Sequence, residues 1–102
     1  MDIKNSIKLF VETLKERPHM LLLGNPDFNT YKVFLDGFLL GLESAYDTRI
    51  MLDMTFWFQR KLKIEAKYHW TDMIPIYYKG KTDDELIVIL LQTLSDYVEE
   101  KL

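Results

Sequence analysis

The sequence predicts an all-α fold, a compact bundle of four to five helices with a central C-terminal helix. Three observations predict it. Residues 82–102 begin with Thr82 followed by Asp83, Asp84 and Glu85, which is helix-start chemistry, and run on into six consecutive apolar residues, 86–91. A helix apolar on all sides needs neighbours around it. Apolar residues at helical spacing recur in two further segments. With 102 residues, 48% hydrophobic and 14% aromatic, the chain is one domain with enough apolar surface for a core.

Asp2 can cap a first helix running to about Arg17, with Ile3, Ile7, Phe10, Val11 and Leu14 on one stripe and Pro18 as its stop. Residues 19–25 form a connection with an apolar patch, Met20 to Leu23, either a short extended piece or a helical turn. A second helix starts at Asn29 or Thr30 and runs to about Tyr46. Its main stripe is Tyr31, Phe34, Leu35, Phe38, Leu42 and Ala45. A smaller one, Val33, Gly37, Leu40, Gly41 and Ser44, has glycines four apart that suggest another helix approaching closely on that side. Asp47 and Thr48 mark a break or a kink. Asp53 can cap a third helix from Met54 to about Ile64, with Met54, Trp57, Phe58 and Leu62 on one face. Residues 65–69 form a loop. Residues 70–78 read as a short helix capped by Thr71, with Pro75 in its first turn, or as an extended piece. Lys79, Gly80 and Lys81 form the turn into the last helix, where Thr82 and Glu85 have capping-box spacing.

The absence of cysteine excludes disulfides, thiolate metal sites and cysteine nucleophiles, and suits a reducing compartment such as the cytoplasm. No apolar run has the length of a signal peptide or a membrane span, so a soluble chain without membrane contact is expected. Net charge is -3, unevenly distributed. Residues 57–81 carry six basic residues against two acidic, whereas residues 82–102 carry six acidic against Lys101. An overall acidic chain is a poor nucleic-acid binder and a better match for a partner with a basic surface.

Chemistry-bearing motifs are sparse. His19 and His69 stand alone in separate loops, short of the three or four ligands of a zinc site. Ser6, Ser44 and Ser95 lie on helices outside any nucleophile-elbow context, and no Gly-rich phosphate loop occurs. No catalytic residue, metal or cofactor is assigned. Asp36, Glu43 and Asp47 share one face of the second helix. Such a row can be a solvated face, a patch for a basic partner, or a metal or proton-transfer site. Tyr68, Trp70, Tyr77 and Tyr78 interleave with Lys67, Lys79 and Lys81, the pattern of a single-strand stacking platform. Trp57 and Trp70 read more simply as core anchors.

The run Phe38-Leu-Leu-Gly-Leu-Glu-Ser-Ala-Tyr46, then Phe56-Trp-Phe-Gln-Arg-Lys-Leu62, an isolated Trp70 and Asp83-Asp-Glu-Leu-Ile-Val-Ile-Leu-Leu91 follow in this order. Over roughly residues 34–100 the chain resembles the small all-helical bacterial immunity proteins encoded beside secreted or contact-delivered toxins, as in contact-dependent growth inhibition. The resemblance implies a non-catalytic, stoichiometric inhibitor of one cognate toxin, a nuclease being the first expectation. A nuclease cleft is basic because it binds phosphate, and carboxylates can block it. The partner-binding candidates are then Asp36, Glu43, Asp47, Asp83, Asp84 and Glu85. The alternative is a small helical adaptor or regulator binding nucleic acid or another protein through residues 67–81.

Overall fold

The computed structural model describes residues 2–65 and 68–102. Among these, all regular structure is helical: α1 (Ile3–Glu16), a 3₁₀ turn (Pro18–Met20), α2 (Phe28–Tyr46), α3 (Ile50–Leu62), α4 (Trp70–Tyr77) and α5 (Asp83–Lys101). Helix α5 is the hub, packing against α1, α2 and α4, while α3 is held by α2 and α4.

Local chemistry explains most of the helix ends. The Asp2 carboxylate accepts the Asn5 N–H at 2.8 Å and opens α1. Beyond α1, Pro18 starts the 3₁₀ turn, and of the 20–23 patch only Leu22, just after that turn, reaches the core; Leu23 is 93% exposed. Helix α2 starts earlier than its sequence suggested, because Asp27 rather than Asn29 or Thr30 caps it, accepting the Thr30 N–H at 2.9 Å. At its far end Asp47 adopts a left-handed φ of 50° and donates its N–H to the Glu43 carbonyl. Thr82 and Glu85 form the expected capping box on α5, at 3.2 and 3.0 Å.

The third helix departs from expectation. It begins at Ile50, three residues before Asp53, which lies exposed within the first turn. The cap comes from another helix: the Glu43 carboxylate accepts the Met51 N–H at 2.8 Å. Residues 70–77 are helical rather than extended. His69 takes the N-cap position, Thr71 is fully buried, and Pro75 sits inside the helix beyond its first turn.

One core joins the five helices. Phe10 of α1 stacks face to face on Phe38 of α2 at 3.8 Å, and Trp57 of α3 meets Tyr97 of α5 edge-on at 5.4 Å. Trp57 and Trp70 are both core anchors. Leu39, absent from the predicted stripe of α2, is fully buried, whereas Ala45 is exposed. The close helix approach predicted at Gly37 and Gly41 does not occur. A Cβ built on either glycine meets nothing within 4 Å, and Val33 and Leu40 beside them are mostly exposed. Nor is α5 covered on all sides, since Val88 faces solvent at 66% exposure.

Candidate functional site

Asp36 and Glu43, seven residues apart, lie on the face of α2 turned toward α3 and the start of α4. Asp47, expected on the same face, follows the helix as its left-handed C-cap. Their environments differ. Asp36 is largely covered and accepts hydrogen bonds from the Thr71 hydroxyl, 3.2 Å to each oxygen. Its Oδ1 lies 3.3 Å from His69 Nε2, and its Oδ2 lies 3.4 Å from Lys32 Nζ. Lys32 also pairs with Asp72 at 2.9 Å, and that bond is the first cause holding its ammonium above the usual range. Glu43 caps α3. Asp47 is exposed.

His69 continues the network, with Nδ1 3.3 Å from the Thr55 hydroxyl of α3. Carboxylate, imidazole and hydroxyl thus stand in the order of a nucleophilic triad. The Thr55 hydroxyl is already committed, however. It donates to the Met51 carbonyl at 2.9 Å and accepts the Trp70 N–H at 3.2 Å, in a nearly buried position. The arrangement is a brace that ties α2, α3 and α4 through polar groups with few protons to spare.

The other acidic candidates gather elsewhere. Asp83 accepts the Phe28 N–H at 3.1 Å, so the first turn of α5 caps the first turn of α2. Glu85 belongs to its own capping box, and the Thr82 backbone N–H holds its carboxyl below the usual range. Asp84 is exposed; its charge, after burial, contributes to raising the Tyr31 phenol. From this end of α2 to Asp47 is about 28 Å along the helix. Asp36 stands between these ends, about 12 Å from Phe28 along the helix, so the six carboxylates are strung along α2 rather than gathered, and four of them have structural bonds.

Above the brace lies an open cleft of about 620 Å³ between α2 and α3, lined among others by Glu43, Arg49, Leu52, Phe56, Tyr68 and His69. Its apolar side chains are well exposed: Leu52 at 46%, Phe56 at 47% and Tyr68 at 60%. Three large apolar groups converging within a charged rim resemble the centre of a protein-binding surface. Leu52 and Phe56 are four residues apart on α3, off the stripe of Met54, Trp57 and Phe58. That spacing is the signal in the chain, and it is legible only because α3 begins at Ile50, which puts Leu52 on the helix with Phe56.

The basic-aromatic segment divides. Lys67 lies outside the described residues. Trp70 is fully buried, and Tyr68 joins the cleft. Tyr77 and Tyr78, edge-on at 4.9 Å, lie at the other end of α4, about 12 Å away, with Lys79 and Lys81 beside the left-handed Gly80. These aromatics share no continuous surface. Among the described residues, no three His, Asp or Glu side chains come together to hold a metal ion, and no helix is long and apolar enough to cross a membrane.

Comparison with protein-family models, curated proteins and solved structures finds no match to the chain.

Proposed function

We propose that the chain is a non-catalytic binding protein that neutralises one cognate bacterial toxin by forming a stoichiometric complex, as the immunity proteins it resembles do. The observation that carries this reading is the α2–α3 cleft. Leu52 projects from α3, which the polar brace ties to α2 and α4, so it meets a partner with little further ordering cost, and Tyr68 stands beside it from the connection that leads into α4. Glu43, Arg49 and His69 supply a polar rim. Asp47 just beyond the C-terminal end of α2, and Asp84 near its other end, remain open to a basic partner; Asp36, Glu43, Asp83 and Glu85 contribute through field more than through contact. A nuclease, whose substrate cleft is basic, is the partner class these charges suit. Such an inhibitor works where its toxin would otherwise act, which places it in the cytoplasm.

The test is co-expression with the product of the gene adjacent to this one. The expected result is a neighbour toxic by itself, harmless beside this chain, and recovered with it as a one-to-one complex. A neighbour that is harmless alone, or that does not bind, refutes the toxin reading. The nucleic-acid alternative predicts salt-dependent binding of RNA or DNA at low ionic strength; its absence removes that alternative.

A further inference from the structure

We propose that the flank of α3 turned toward α5 is a self-association surface, and that its occupant is a second copy of this chain. Phe56 stands on the crest of α3 between two hollows. One is the cleft described above. The other, of about 360 Å³, is bounded by Asp53, Arg60 and Lys101, with Trp57 and Tyr97 also in its lining. A cavity of about 150 Å³ accommodates benzene, so this second hollow has room for a phenyl ring. Phe56 borders the hollow of its own copy. A two-fold rotation about that point therefore seats each Phe56 in the hollow of the other copy, an isologous contact made by one patch used twice.

The charges select the same arrangement. Asp53 lies three residues before Phe56 and Arg60 four after it, on one face of α3. Neither takes part in any ion pair among the described residues. Seven residues, about 10 Å, keep them from pairing within one helix. When two α3 helices cross antiparallel near Phe56, Asp53 of each copy faces Arg60 of the other, and symmetry makes two such pairs. Knob, hollow and opposite charges are thus self-complementary, which an unrelated partner would have to reproduce by coincidence. The contact shares Phe56 with the cleft, while Leu52 and Tyr68 on its α2 side stay outside. The mass of the chain alone reads this contact without any toxin, so its failure is distinguishable from that of the toxin reading.

Sedimentation equilibrium of the full chain over a concentration series tests it. The mean mass is expected to rise with concentration from 12.2 kDa toward twice that value. Phe56→Glu is expected to remain at the monomer mass. Asp53→Arg and Arg60→Asp, each placing like charges together twice, are expected to raise the dissociation constant about tenfold. The double variant Asp53→Arg/Arg60→Asp restores opposite pairing and is expected to recover association. All three substituted positions are exposed, and far-UV circular dichroism identifies any of the four variants that misfolds. A mass fixed at the monomer at every concentration overturns the proposal. So do single reversals without effect, or a double variant as weak as the singles.

Discussion

Asp36 shows how a carboxylate on a promising face can be occupied by the fold. The fully buried Thr71 hydroxyl donates to it, and His69 and Lys32 complete its surroundings. Asp36→Ala is expected to cost about 1–3 kcal/mol, because it leaves that hydroxyl without an acceptor; urea denaturation measures it. Removing Asp36, Glu43 and Asp47 together would therefore confound binding with stability. Asp47→Asn alone is the cleaner probe of recognition, because it removes the charge and asparagine tolerates the left-handed backbone. Carboxylates held below the usual range set the response to acid, among them Glu99 through its bond to Lys8 and the two cap residues Asp27 and Glu85. Asp27 is held below the usual range by the Thr30 backbone N–H and then the Thr30 hydroxyl, and Glu85 by the Thr82 backbone N–H and then its hydroxyl. A carboxyl depressed in the folded state adds stability above its unfolded pKa, and this is lost as pH falls through the folded value. Thermal midpoints are therefore expected to fall below about pH 4. Asp27→Asn keeps a capping acceptor and is expected to flatten that fall.

At the scale of elements, the unpartnered face of α2 makes a sharp prediction. Gly37→Ala and Gly41→Ala meet open space and replace a poor helix former, so each is expected to stabilise by about 0.5–1 kcal/mol in chemical denaturation. Had another helix packed there, both would destabilise. On α5, Leu90→Ala is expected to cost about 2–5 kcal/mol, whereas Val88→Ala, on the solvent side, is expected to stay within about 0.5 kcal/mol. Helices α1 and α5 were legible in the chain because their caps are local: Asp2 and Pro18 bracket one, and Thr82 with Glu85 opens the other. The start of α3 was not, because its cap is Glu43, eight residues back on another helix. Asp53 offered a local capping signal that the tertiary structure did not use. The helical state of residues 70–77 was equally hidden, since Pro75 argues against it and only the burial of Trp70, Met73 and Ile74 outweighs that argument.

For the molecule as a whole, architecture was far more legible than the candidate site. Apolar periodicity reports burial directly, and the central place of α5 follows from it. Acidic residues report only charge. Whether they meet a partner or a neighbouring backbone N–H depends on contacts distant in the chain, as Asp83 with Phe28 shows. The cleft itself is made by three segments, and its apolar anchors stand out only once the buried stripe of α3 is known. If Leu52 and Tyr68 are the anchors, the interface is local to the α2 side of α3, and the rest of the surface is free to vary. The most direct measurement is titration calorimetry of the chain against the toxin encoded beside it, with Tyr68→Ala as the comparison. The account predicts a one-to-one complex that Tyr68→Ala weakens by about tenfold or more while its unfolding midpoint stays unchanged. A complex of undiminished affinity would contradict the placement at the cleft, and no complex at all would contradict the function.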